Sequence, residues 1–72
     1  MKKIKIVTEY ITLGQFLKFA DIISNGGEAK FYLSENEVYI KGELDGRRGR
    51  KLRHGDKVVL EEKEFIIENE NQ

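Results

Sequence analysis

The segment Thr12-Leu13-Gly14-Gln15 limits the possible folds of this chain more than any other local feature. It fits a capping box, in which the Thr hydroxyl and the Gln side chain each accept a hydrogen bond from the other residue's backbone amide. Ile11 and Phe16 occupy the two positions of a hydrophobic staple around this box. Apolar residues then share one helical face: Leu13, Phe16, Leu17, Ala20 and Ile23. The sequence therefore predicts a helix over about residues 13–24, ended by the Asn25-Gly26-Gly27 segment.

A second, shorter helix is predicted to begin directly after these glycines. Asn25 and Glu28 form a second pair suited to cap a helix start. The next apolar positions lie on one face of that helix: Ala29, Tyr32 and Leu33. Asn36 is expected to end it in a left-handed conformation.

The remainder of the chain has the two-residue period of half-buried strands. This period occurs in residues 3–8 and again from Glu37, where Val38 and Ile40 point to one side. Turn pairs follow in the segments Asp45-Gly46 and His54-Gly55-Asp56. Residues 57–61 and 64–68 are predicted to form a final hairpin around Glu62-Lys63.

The order of strand, two helices and several strands predicts a small α+β domain, with two short helices packed on a mostly antiparallel sheet. A length of 72 residues predicts a single domain, with residues 61–68 as its final strand and residues 69–72 as a frayed tail. The chain has no cysteine, which excludes disulfides and Cys-based zinc sites. No apolar run is long enough for a membrane span or a signal peptide, so we expect a cytoplasmic protein.

Opposite charges are segregated along a chain whose formal net charge is zero. Residues 46–60 carry six Arg or Lys against Asp56 alone, whereas residues 61–72 carry five Glu and one Lys. Such segregation can produce a strongly positive face that attracts polyanions. The alternative is that the basic and acidic blocks lie side by side and neutralise one another.

Catalysis, a metal site and a cofactor are not expected. His54 is the only imidazole, and it lies in a turn among cations. Ser24 and Ser34 border helices, where a capping role is the simpler explanation. The acids of the last hairpin are expected to face solvent: Glu61, Glu62 and Glu64.

The most informative chemistry is the segment 46–53, which holds five cations in eight residues. They are Arg47, Arg48, Arg50, Lys51 and Arg53. An arginine can bind a phosphate with two hydrogen bonds and can stack on an unpaired base, which suits RNA. Arg-rich loops also serve solubility or contact protein partners, so this signal alone does not decide the ligand.

Further cations accompany this segment on the predicted helices and strands. Lys18 lies on the first helix, and Lys30 neighbours Ser34 on the outer side of the second. Lys41 leaves its strand on the exposed face. Tyr39 shares that face and is suited either to base stacking or to a cross-strand aromatic pair.

Two short helices followed by the segments Val38–Gly42 and Leu52–Val58 resemble the S4 RNA-binding domain over residues 12–60. Residues 12–18, 26–30 and 46–52 are more closely similar to small stand-alone bacterial S4-like proteins of the YaaA type. The resemblance implies an α-L motif and a monomeric, non-enzymatic module that binds structured RNA, ribosomal or other, with the ribosome or an RNA-handling protein as a further partner. The RNA-binding residues are then Lys18, Lys30, Ser34, Lys41, Arg47, Arg48, Arg50, Lys51 and Arg53.

The chain departs from the S4 pattern at three places. Lys41 replaces the usual Asn, Gly26-Gly27 replaces an Arg that commonly contacts phosphate, and His54 stands where Pro is usual. Our hypothesis is that the Arg-rich loop compensates for the missing Arg. The alternative function is a protein–protein interaction module of a small β-rich fold with no nucleic-acid ligand. Binding to DNA is less favoured, because no recognition helix is evident.

Overall fold

A computed structural model describes residues 1–71, which contain seven short strands and two short helices. A single turn of 3-10 helix, Gly26–Glu28, leads into the second helix. In chain order the elements are β1 (Lys2–Ile6), β2 (Tyr10–Thr12), α1 (Leu13–Phe19), α2 (Ala29–Glu35), β3 (Val38–Ile40), β4 (Glu43–Leu44), β5 (Lys51–Arg53), β6 (Lys57–Leu60) and β7 (Lys63–Asn69).

Five of the strands form one mixed sheet in the order β1-β7-β6-β3-β4. β1 runs parallel to β7, with Ile4 opposite Ile67, and the other neighbours are antiparallel. β2 and β5 pair separately as an antiparallel ribbon. The predicted α+β class, with two helices and a mostly antiparallel sheet, is confirmed.

The capping box at the start of α1 is present as predicted. The Thr12 hydroxyl accepts a hydrogen bond from the Gln15 amide at 3.2 Å, and Gln15 Oε1 accepts one from the Thr12 amide at 2.9 Å. This start places the apolar face of α1 against the sheet, where the rings of Phe16 and Phe65 meet edge to face at 5.2 Å. Residues with no exposed surface form the centre of the core: Leu13, Phe16, Leu17, Val38, Ile40, Leu52 and Val58.

α1 ends five residues before Ser24, so the predicted end of this helix is wrong. Asp21 adopts a left-handed conformation with φ 63°, which an Asp tolerates better than most residues. The Ile22 amide donates back to the Leu17 carbonyl at 2.9 Å and satisfies that end of the helix. The chain therefore turns toward α2 earlier than the apolar spacing suggested.

The predicted cap pair before α2 is confirmed, and α2 ends at Asn36 as predicted, but Asn36 does not have the predicted left-handed conformation. Asn25 Oδ1 accepts from the Gly27 amide at 3.0 Å. The Glu28 carboxylate accepts from the Ser24 hydroxyl at 2.6 Å and the Asn25 amide at 3.0 Å, which lowers the pKa of Glu28. Asn36 is extended, with φ −133° rather than left-handed, because its side chain donates to a carbonyl of the last turn of α2.

The final hairpin forms, but its turn consists of Glu61 and Glu62 rather than Glu62 and Lys63. Both turn residues have positive φ, 48° and 62°, as a tight two-residue hairpin turn requires. The expectation that residues 69–72 are frayed is wrong for Asn69, which ends β7, is buried and donates two hydrogen bonds. Gln72, the last of these four residues, lies outside the described residues.

Candidate nucleic-acid interface

The basic segment 46–53 is attached to the start of α1 by two backbone hydrogen bonds. The Leu13 amide donates to the Arg50 carbonyl at 2.7 Å, and the Gly14 amide donates to the Arg48 carbonyl at 2.9 Å. The first amides of a helix have no partner within it, so the loop supplies the acceptors that α1 needs. The backbone of the loop is thereby fixed while its cationic side chains are directed outward.

Gly14 is where α1 and this loop come closest. A Cβ atom at this position would lie 3.0 Å from Arg48 Cγ, nearer than side-chain carbons normally approach. The absence of a side chain therefore lets the Arg48 side chain lie across the start of α1.

Arg48 extends toward the two helices, and we call the surface formed there the helix face. It consists of Lys18, Lys30, Ser34 and Arg48. Arg48 lines one shallow depression of about 440 Å³ with Lys18, and a second of about 350 Å³ with Lys30 and Ser34. Among residues 1–71, the cations of this face make no ion pair.

The other cations of the loop line a separate groove of about 620 Å³, which we call the strand face. Its basic residues are Lys41, Arg47, Arg50, Lys51 and Arg53. Gly49 borders both this groove and the Lys18 depression, so the backbone at Arg48-Gly49 forms a ridge between the two faces. The nine sequence-predicted site residues are thus distributed over two surfaces rather than gathered in one.

Asp45 holds two of the arginines of the strand face. Its Oδ1 and Oδ2 accept from Arg47 Nε at 3.0 Å and Nη2 at 2.8 Å, and its Oδ2 accepts from Arg50 Nη1 at 2.8 Å. Hydrogen bonds from Arg47 and Arg50 hold the pKa of the Asp45 carboxyl well below its usual range. The Arg47 side chain remains 75% exposed, so its outer N–H groups stay available to a ligand.

Two further contacts position the remaining strand-face cations. Asp56 is buried; its Oδ2 accepts from the Arg53 amide at 2.8 Å, and its Oδ1 lies 3.3 Å from Lys41 Nζ. The Tyr10 ring lies beneath Lys51 Nζ at 4.9 Å and the Arg53 guanidinium at 5.4 Å. The sequence analysis did not identify Tyr10 as part of this surface. A prediction that β2 pairs with β5, with Tyr10 opposite Arg53, would have identified it.

Three aromatic side chains are exposed at the surface: Phe19, Phe31 and Tyr39. Tyr39 is 37% exposed and pairs with Val59 and Leu44, so it makes no cross-strand aromatic pair. Phe31 on α2 and Phe19 at the end of α1 are exposed over more than half of their surface. Neither ring belongs to the apolar helix faces that the sequence predicts, so their exposure agrees with the helical periodicity.

The single histidine has a structural contact. His54 Nδ1 accepts a hydrogen bond from the Asn69 amide at 3.0 Å, joining the turn before β6 to the end of β7. In the described part of the chain, no three His, Asp or Glu side chains are grouped as a metal site would require. Across residues 1–71, no helix has the length and apolar character needed to cross a membrane.

Comparison with known proteins gives one family and one close relative. The family model described as the S4 domain matches residues 4–68, a span wider than the 12–60 expected from the motifs. The chain is 62% identical over 58 residues to the "Probable ribosome maturation protein RlbA" of Bacillus subtilis (strain 168). The matched region covers 81% of this chain and 82% of that relative. No solved structure matches the chain.

Proposed function

The chain belongs to the S4 domain family, and we propose that it is a non-catalytic module that binds structured RNA through its helix face and strand face. The observation that carries this proposal is the attachment of the basic loop to α1. Two backbone hydrogen bonds fix the loop at Arg48 and Arg50. The loop can therefore bind RNA without the entropic cost of ordering a mobile segment.

The chemistry of both faces suits the phosphate backbone of RNA. The three cations of the helix face have no carboxylate partner within residues 1–71 and can each neutralise a phosphate. On the strand face, Arg47 retains outer N–H groups in the planar arrangement that matches phosphate oxygens. Because side chains cannot read the narrow major groove of A-form RNA, recognition depends on the shape of the folded RNA.

We propose ribosomal RNA as the first ligand to test, with the ribosome as the larger partner. Support comes from the family and from the relative, whose name describes ribosome maturation. Both support an RNA-binding or ribosome-related role in the cytoplasm. The monomeric state expected from the sequence stays a prediction.

Fluorescence anisotropy with a labelled ribosomal hairpin-junction fragment at three salt concentrations tests this function. If about five phosphates are neutralised, log affinity should fall against log salt with a slope of about −3.5 to −4.5. The triple variant Arg48→Gln/Lys51→Gln/Arg53→Gln should lose most of this slope. Because it also loses the two contacts with the Tyr10 ring, its melting temperature should fall by several degrees while it remains folded. The control Lys2→Gln/Lys63→Gln removes two exposed charges from β1 and β7 and should bind as the wild type does.

Flat anisotropy for the wild type at low salt would contradict RNA binding. It would favour the alternative, a protein–protein interaction module. The surface to test next would then be the depression of about 580 Å³ lined by Val7, Tyr10 and Phe19, because Val7 and Phe19 are exposed apolar residues.

A further inference from the structure

We infer that the helix face and the strand face bind two different segments of phosphate backbone, so that the domain recognises the place where two strands of a folded RNA converge. This inference rests on the proposed RNA binding and adds its geometry. The observation behind it is that consecutive cations of one loop are directed to opposite sides of the Arg48-Gly49 ridge.

The separation follows from how the neighbouring arginines are held. The Arg48 side chain lies across Gly14 toward Lys18 and Lys30. Arg47 and Arg50, on either side of it in the sequence, are both bound to Asp45 on the strand face. Arg48 lines only the depressions of the helix face and not the strand-face groove, so the phosphate that it binds lies on the helix side of the ridge.

The two faces also differ in how firmly their cationic side chains are held in place. On the strand face, Asp45 and Asp56 fix Arg47, Arg50 and Lys41, and the Tyr10 ring supports Lys51 and Arg53. On the helix face, Lys18 and Lys30 have no such partner among the described residues. A preorganised face suits one fixed arrangement of phosphates, whereas long free lysines adapt to the second strand.

A comparison of two RNAs tests the inference: a three-way junction, and a short unpaired strand copied from one of its arms. The helix-face variant is Lys30→Gln/Arg48→Gln, and the strand-face variant is Lys51→Gln/Arg53→Gln. Each variant removes two phosphate contacts and should weaken junction binding about 25- to 60-fold at 0.1 M salt. On the unpaired strand, which offers a single stretch of backbone, only one of the two variants should weaken binding.

If both variants weakened binding of the unpaired strand and of the junction by the same factor, the inference would be overturned, because one continuous surface would then suffice. RNA binding itself would still stand in that case. Failure of the wild type to bind either RNA would instead contradict the proposed function. The control Lys2→Gln/Lys63→Gln should bind both RNAs within about twofold of the wild type, since neither lysine lines a face.

A mapping experiment gives a second, independent readout. Because the chain has no cysteine, the variants Ser34→Cys and Lys41→Cys each provide one attachment point for an iron-based hydroxyl-radical cleavage reagent, one on each face. We expect the two reagents to cut the bound junction in two different strands. Cleavage of the same few nucleotides from both positions would overturn the inference.

Discussion

The Arg48 carbonyl accepts a hydrogen bond from the Gly14 amide at 2.9 Å, while the Arg48 side chain crosses the same glycine at the distance of a close contact. One residue of the loop thus completes the helix start with its backbone and supplies the helix face with its side chain. The position of this single cation therefore depends on the smallest residue of α1.

Gly14→Ala should weaken RNA binding while leaving the free energy of unfolding nearly unchanged. The new methyl group displaces the Arg48 side chain, so the affinity for structured RNA should fall about fivefold, the loss of one phosphate contact. Alanine favours a helix by up to about 1 kcal/mol over glycine, which offsets the steric cost, and the free energy of unfolding should stay within about 1 kcal/mol. Titration with RNA and urea unfolding measure the two quantities. The control Lys2→Gln/Lys63→Gln, whose lysines line neither face, should change neither.

Asp45→Asn should destabilise the protein in a pH-dependent way. Hydrogen bonds from Arg47 and Arg50 lower the pKa of Asp45 in the folded state, so its stabilising effect is present above the unfolded pKa of about 3.9 and is lost as pH falls through the folded pKa. We expect the variant to be about 1–2 kcal/mol less stable at pH 7, with a difference that shrinks below about pH 4. Urea unfolding at pH 7 and at pH 3 measures this.

Glu43→Gln, an exposed carboxylate two residues before Asp45, is the matched control and should show no such pH dependence. A deficit for Asp45→Asn that is equally large at both pH values would show that the carboxylate charge is not the stabilising feature.

Removing the Tyr10 ring should weaken RNA binding through Lys51 and Arg53. Each cation is supported by the ring face, and an exposed cation–π contact contributes about 0.5–1 kcal/mol. Tyr10→Leu should therefore reduce RNA affinity about two- to fivefold, whereas Tyr10→Phe keeps the ring and should bind normally. Anisotropy titration of the two variants decides the point; equal loss in both would implicate the hydroxyl instead.

The hairpin turn offers a stabilising substitution far from both faces. Glu62 is held at φ 62°, where a side chain costs about 1–2 kcal/mol relative to glycine. Glu62→Gly should raise the melting temperature by a few degrees and leave RNA binding unchanged. Gly55→Ala is the converse: it places a Cβ at φ 88° and should lower the melting temperature. A decrease for Glu62→Gly would mean that chain entropy outweighs the strain.

Local sequence patterns predicted the features that depend on neighbouring residues. The capping box of Thr12 and Gln15, the cap pair of Asn25 and Glu28, and the buried face around Phe16 all involve partners within a few residues, so spacing alone reveals them. The predicted end of α1 was wrong because Asp21 adopts a left-handed conformation and the Ile22 amide donates to the Leu17 carbonyl, a helix ending that the spacing of apolar residues does not record.

The division of the basic loop depends on contacts that composition does not encode. A run of arginines predicts a positive surface, but the direction of each side chain is set by Asp45, Gly14 and Tyr10. Tyr10 and Gly14 precede the arginines of the basic loop by more than thirty residues in the chain. They approach this loop only when β2 pairs with β5. The residue types of the candidate site were therefore predictable, whereas its two-faced geometry was not.

The parallel pairing of β1 with β7 bears on how the protein is made. Lys2 lies opposite Phe65 and Ile6 opposite Asn69, so β1 can pair only after β7, more than sixty residues later in the chain, has left the ribosomal exit tunnel. Contacts so distant in sequence carry a large loop-closure cost and form late. During translation the α1–α2 segment can fold first, while the apolar side of β1 remains exposed to solvent until β7 is available. The five-stranded sheet is therefore completed only after β7 has been synthesised.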